Sequence, residues 1–136
     1  MIKEQAIKTA VKWWSNKLKS KAPHSNGDNS LSSIMACFLA DGGMQDVTDE
    51  QINIFESELT NYLNHSLDTD TFFGMGCDYN PTANLLEAAK TAGISEFNFP
   101  YKTWMEIENR SKSEDGYVVL VSDGYAQPYM ELTPME

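Results

Sequence analysis

An α+β fold is predicted, with about four helices followed by a small antiparallel sheet made of a hairpin and an edge strand. Three observations carry the prediction. Apolar residues recur at helical spacing through most of residues 3–95, the period changes to two from Thr103, and turns rich in glycine, proline and asparagine separate the segments. The expected organisation is one domain over residues 1–136, with a basic amphipathic helix over 1–22, an acidic helical region over 23–95 and the sheet over 100–132.

The first helix is expected over residues 3–21. Ile7, Ala10, Val11, Trp14 and Leu18 form its apolar stripe, while Lys8, Lys12 and Lys19 line the wet face. Trp13 and Trp14 are neighbours about 100° apart on the helix, so one of them falls at the rim of the core. Pro23 stops the helix, and His24-Ser25-Asn26-Gly27-Asp28-Asn29 forms a turn. Asp28 or Asn29 is expected to cap a second helix with the stripe Leu31, Ile34, Met35, Phe38 and Leu39, ending at Gly42-Gly43.

Thr48-Asp49-Glu50-Gln51 matches the capping box, in which the threonine oxygen accepts from one orphan amide and the glutamine side chain from another. A third helix follows to about His65. Its buried stripe is Ile52, Phe55, Leu59, Tyr62 and Leu63, and Glu50, Glu56, Glu58 and Asn61 decorate the outside. Phe72 to Asp78 reads as a short strand, and Asn80-Pro81 as the cap and first residue of a fourth helix that stops at Gly93. Thr103, Met105 and Ile107 then alternate with Trp104, Glu106 and Glu108. After the polar loop 109–116, Tyr117-Val118-Val119-Leu120-Val121 completes a hairpin, and Tyr125 to Leu132 can add an edge strand past the Asp123-Gly124 turn.

Charge divides the chain. Between Lys21 and Lys90 there is no lysine or arginine, and that stretch holds eleven carboxylates. Residues 1–22 carry six lysines against Glu4, a formal +5, which leaves −15 on the remainder of a chain whose net charge is −10. A one-signed field repels nucleic acid and steers cationic partners. Asp46, Asp49, Glu50, Glu56, Glu58, Asp68 and Asp70 form the expected partner-binding acidic surface. The plainer alternative is an acidic domain whose basic helix packs beside its own acids.

Asn26-Gly27-Asp28, Asp78-Tyr79-Asn80-Pro81, Ala92-Gly93-Ile94 leading into Asn98-Phe99-Pro100-Tyr101-Lys102-Thr103, and Gly124-Tyr125 with Pro128-Tyr129 resemble, across nearly the whole chain, a family of short proteins from bacteriophages and mobile elements of gut bacteria. The chain departs from that pattern at Tyr101, where tryptophan is expected, and at Gln127. The resemblance implies a phage context, the cytoplasm of an infected bacterial host, and an anti-defence role of the anti-CRISPR kind. It brings no established activity.

Catalytic chemistry finds little support. Cys77 sits beside Asp78, whose charge raises a thiol pKa, and Cys37 lies within an apolar helical pattern. Only His24 and His65 could serve as bases, and no spacing brings either to a cysteine. Zinc spacings are absent. Asp46, Asp49 and Glu50, or Asp68 and Asp70, could approach a calcium ion but lack the EF-hand spacing, and no phosphate or dinucleotide loop is present. No catalytic residue, metal or cofactor is therefore assigned.

No apolar run reaches the roughly 18 residues of a membrane span. Direct nucleic-acid binding by the basic helix is opposed by the adjoining acids. The pattern assigns no oligomeric state.

The expected function is binding and inhibition of a host defence protein, for example a CRISPR effector, by an acidic surface that mimics nucleic acid and occupies a basic channel. Two alternatives stand beside it: a small enzyme using Asp28, Asp78, Lys102 and Tyr125, and a structural or accessory phage protein. Asn26, Asp28, Asp78, Tyr79, Lys102, Trp104, Tyr125 and Tyr129 form an alternative polar-aromatic site, because Asn26-Gly27-Asp28, Asp78-Tyr79 and Lys102-Thr103-Trp104 fall at junctions where function concentrates, with Tyr125 or Tyr129 expected nearby.

Overall fold

The computed structural model describes residues 1–21, 23–25, 27–69 and 72–135. In chain order they form α1 (Lys3–Ser20), α2 (Leu31–Gly42), α3 (Asp49–Thr69), β1 (Phe72–Cys77), α4 (Ala83–Ala92), a single 3-10 turn (Glu96–Asn98), β2 (Thr103–Asn109), β3 (Tyr117–Asp123) and β4 (Met130–Glu131). The strands make one antiparallel sheet in the order β1-β2-β3-β4, so the class is α+β as the sequence predicts.

The sheet alternates as a strand with one covered face must. Met75 and Cys77 on β1, Thr103, Met105 and Ile107 on β2, and Val119 and Val121 on β3 are all buried. Register places Met75 opposite Met105 and Met105 opposite Val121, so these side chains share one face, against which α1 and α3 pack. Phe55, Leu59 and Leu63 of α3 are fully buried, as are Trp14 and Leu18 of α1. Phe99 lies between them, its ring 5.9 Å from that of Trp14 in an edge contact and 6.2 Å from that of Phe55. Truncating an aromatic of this kind costs about 3–5 kcal/mol, so Trp14 and Phe99 dominate this layer. Trp13 is buried too, and Lys17 Nζ stands 4.9 Å from its ring.

The caps explain where the helices begin and end. Thr48 Oγ1 accepts from Gln51 N at 3.1 Å while Gln51 Oε1 accepts from Thr48 N at 2.9 Å, completing the capping box that starts α3. Gly93 closes α4 at φ 73°, a left-handed conformation that costs glycine little.

Five expectations are corrected. The N-cap of α2 is Ser30, whose hydroxyl accepts from Ser33 N, rather than Asp28 or Asn29. The N-cap of α4 is Thr82, because Pro81 pairs with Cys77 in an isolated bridge that extends the end of β1. Helix α3 passes His65 and continues to Thr69, while Tyr62 in its expected buried stripe is exposed. The edge strand shrinks to two residues, since Gly124 and Ala126 turn the chain away from β3 before Pro128.

Helix α2 departs most from its sequence pattern. A helix of this kind ordinarily buries its apolar stripe. Here Ala40 is its one buried residue; Ser33, Ala36 and Cys37 face partly inward, and the large residues Leu31, Ile34, Met35, Phe38 and Leu39 point into solvent. The helix is fastened mainly at its C-terminal end. Ser95 Oγ donates to the Gly43 carbonyl at 2.8 Å, Gln45 N donates to Asn98 Oδ1 at 2.9 Å, and Asn98 Nδ2 donates to the Leu18 and Gln45 carbonyls.

Candidate functional site

The C-terminal end of β1, the turn into β2 and the turn out of β3 meet at one end of the sheet, as antiparallel strands in register require. They enclose a depression of about 370 Å3 lined by Asp78, Lys102, Trp104, Ser122, Gly124 and Tyr125, with the buried Cys77 behind. Two backbone bonds stitch its rim: Lys102 N donates to the Asp78 carbonyl, and Gly124 N to the Lys102 carbonyl, each at 3.1 Å. Three rim residues have positive φ: Lys102 at 58°, Gly124 at 114° and Ala126 at 58°. The left-handed conformation costs a residue with a Cβ roughly 1–2 kcal/mol, and such strain concentrates at functional positions.

Lys102 is held from two sides. Its ammonium pairs with the Asp78 carboxylate and stands 4.5 Å from the centre of the Tyr79 ring. The hydrogen bond it donates to the Asp78 carboxylate holds the ammonium above its usual pKa, so Lys102 acts as a fixed cation and not as a base. Burial, with Asp78 and Glu96 adding, pushes the Cys77 thiol up to about 12, which leaves it protonated and unreactive near neutrality. Trp104 lies across the backbone of β1; a Cβ on Gly74 or Gly76 would run into its ring. The Tyr125 ring occupies the space a Cβ on Gly27 would fill, joining this end of the sheet to the turn before α2. The depression thus offers an ion pair and aromatic surfaces, with no activated nucleophile.

Of the polar-aromatic residues singled out from sequence, Asp78, Lys102, Trp104 and Tyr125 converge here, with Tyr79 beside Lys102. Two do not join them. Asp28 serves the start of α2: its carboxylate accepts from Ser30 N and from Ser33 Oγ, both at 2.8 Å, and these bonds hold its pKa below the usual carboxylate value. Tyr129 reaches toward Glu106 instead, 3.4 Å from hydroxyl to carboxylate, where burial and that charge raise its pKa. Asn26 and Asp70 lie outside the described residues.

The acidic surface is partly answered by the chain itself. Lys3 pairs with Asp68, Lys12 with Glu56 at 3.0 Å, and Lys21 with Asp46, so three of the expected partner-binding acids are engaged by lysines of α1 and of the residue that follows it. Ser15 Oγ also donates to Glu56 at 2.9 Å, which makes that carboxylate a joint between α1 and α3. Asp49, Glu50 and Glu58 stand outside these pairs and are exposed on α3. Among the described residues no group of three or more His, Cys, Asp and Glu side chains could hold a metal ion, and no helix is long and apolar enough to cross a membrane.

Sequence reasoning missed one polar centre. His24, read as a turn residue and as one of two residues that could serve as a base, is fully buried at its ring and bonded to Asp41 and to the Phe99 carbonyl. Its partners lie 17 and 75 residues away, so no local pattern marks them. Comparison with protein-family models, with curated proteins and with solved structures finds no match to this chain.

Proposed function

We propose that this chain is a non-catalytic protein that binds and inhibits a host defence protein, for example a CRISPR effector, by presenting carboxylates to a basic nucleic-acid-binding surface. The phage and mobile-element setting rests on the family resemblance. The observation that carries the binding mode is the arrangement of charge on α3. Lys3, Lys12 and Lys21 are engaged by Asp68, Glu56 and Asp46, while Asp49, Glu50 and Glu58 remain displayed in a stretch of sequence that contains no cation. Such a field acts chiefly on encounter with a cationic partner. The experiment is to measure association with basic host nucleases over a range of salt. The reading expects an association rate that falls steeply as salt rises, and a rate indifferent to salt refutes it.

A second reading is favoured by the convergence of Asp78, Lys102, Trp104 and Tyr125. With Lys102 fixed as a cation and Cys77 protonated, the depression suits holding a flat polar ligand better than the small enzyme considered from sequence. Quenching of Trp104 fluorescence by nucleosides, lost in Lys102→Met and Tyr125→Ala, tests it.

A further inference from the structure

We propose that α2 is a self-association element, through which two copies of this chain pair antiparallel about a two-fold axis near Ile34 and Met35. The helix presents Leu31 at 74 % exposure, Ile34 and Met35 at 54 %, Phe38 at 75 % and Leu39 at 68 %. These positions follow the i, i+3, i+4, i+7, i+8 pattern of a single helical face. Five large side chains, each more than half exposed, make one contiguous apolar face on a short helix, the kind of patch that marks an interaction site. Phe97, itself exposed and packed against Gly43, continues the patch past the helix end.

Charge selects the second copy as the occupant. Each chain carries −10, so two copies repel over most of their surfaces. From Asn29 to Ala40 there is no charged residue, and this uncharged stretch coincides with the apolar face. Hydrogen bonds fix the flanking acids in place, Asp28 to Ser30 and Ser33 and Asp41 to His24, and salt screens the repulsion they add between copies. A two-fold interface must also be self-complementary. Antiparallel pairing centred between Ile34 and Met35 sets Leu31 of one copy against Phe38 and Leu39 of the other, and opposes the two helix dipoles favourably. One short helical face per copy makes a small interface, so a weak, reversible dimer is expected. The proposal does not rest on the inhibitory reading, since the carboxylates of α3 are not part of this face.

Light scattering of the full chain across a dilution series tests it. The expected result is a mass moving from 15.3 kDa toward twice that value as concentration rises, with the transition shifting to lower concentration in higher salt, because salt screens the repulsion between copies. The salt response is opposite in sign to that of acid-driven capture of a basic partner, so the two readings fail separately. Met35→Glu, and independently Phe38→Ser, should leave helicity and thermal midpoint near those of the parent and weaken the dimer at least tenfold. Oxidation of Met35→Cys should give a covalent dimer at least tenfold faster than Leu31→Cys. A 15.3 kDa mass up to roughly 1 mM overturns the proposal. So does a dimer unchanged by both variants, and crosslinking of Leu31→Cys as fast as Met35→Cys overturns the antiparallel arrangement.

Discussion

His24 and Asp41 are joined twice: the backbone N and the ring Nδ1 of His24 each lie 2.7 Å from the same Asp41 Oδ1. The far ring nitrogen, Nε2, is 3.0 Å from the Phe99 carbonyl oxygen, and the ring stands edge-on to Tyr101 at 4.5 Å. One imidazole therefore clasps the turn after α1, the end of α2 and the segment leading into β2. His24→Ala leaves the Phe99 carbonyl without its ring partner and Asp41 with the backbone N–H alone, which costs about 1–3 kcal/mol. Urea unfolding should show that loss, with α2 the first region to lose amide protection in hydrogen exchange. Unaltered protection of residues 31–42 would mean that the clasp does not hold the helix.

Gly76 is expected to tolerate no side chain. A Cβ there would meet both the Thr103 carbonyl and the Trp104 ring, and only the ring can move aside. Gly76→Ala should destabilise by about 1–3 kcal/mol through this overpacking and should red-shift Trp emission as Trp104 is lifted from β1. Gly42→Ala, where a Cβ meets nothing within 4 Å, is the matched control and should be nearly silent.

The two thiols should separate cleanly. Cys77 is buried and its thiol is pushed up to about 12, whereas Cys37 is half-buried. An aromatic disulfide reagent at neutral pH should label Cys37 first and reach Cys77 only on unfolding. Cys77→Ser should preserve any inhibitory activity to within a few-fold. Loss of that activity in a folded Cys77→Ser protein would demand a thiol mechanism.

Acid should loosen the seam between α1 and its carboxylates. The ammonium of Lys21 holds Asp46, and that of Lys3 holds Asp68, below the ordinary value of 3.8. A carboxylate depressed in the folded state contributes stability above its unfolded pKa, and that contribution is lost as pH falls through the folded value. The parent protein should therefore weaken more steeply below pH 3.8 than Asp46→Asn/Asp68→Asn, as read from urea midpoints at successive pH values. Equal slopes would show that these exposed pairs add nothing measurable.

Charge reversal on α3 should act on encounter with a basic partner. Glu50→Lys together with Glu58→Lys should cut the association rate several-fold at low salt and flatten its salt dependence, with little change in dissociation. Glu56 is left intact because its bonds to Ser15 and Lys12 join α1 to α3. An unchanged rate in the double variant would remove the acidic surface from the mechanism.

How much of this was legible in the sequence follows from how local each signal is. The capping box at Thr48 and Gln51, the stop at Gly93 and the alternation through Met105 and Val119 each depend on residues within a turn or a strand, and all three appear as read. The stripe of α2 was equally legible as a stripe. Its spacing says that the helix is two-sided, and nothing in that spacing says whether the cover comes from the same chain. The junction residues Asp78, Lys102 and Tyr125 were recognisable because turns at one end of an antiparallel sheet must meet, whereas Asp28 looked the same but was claimed by its neighbours Ser30 and Ser33. His24 carried no readable mark, because its meaning lies in Asp41 and Phe99.

The packing of α1 against β3 also sets an order of events during synthesis. Ser20 leaves the ribosome well before Tyr117, the first residue of β3, is made. At about 5–20 residues per second, that interval lasts roughly 5–20 s. Through it the nascent chain must carry Trp14 and Leu18 without β3, covered first by α3 and then by Phe99 and β2. Before Asp46, Glu56 and Asp68 are made to meet them, Lys21, Lys12 and Lys3 give that early helix a strongly cationic, hydrated flank, which keeps neighbouring nascent chains apart.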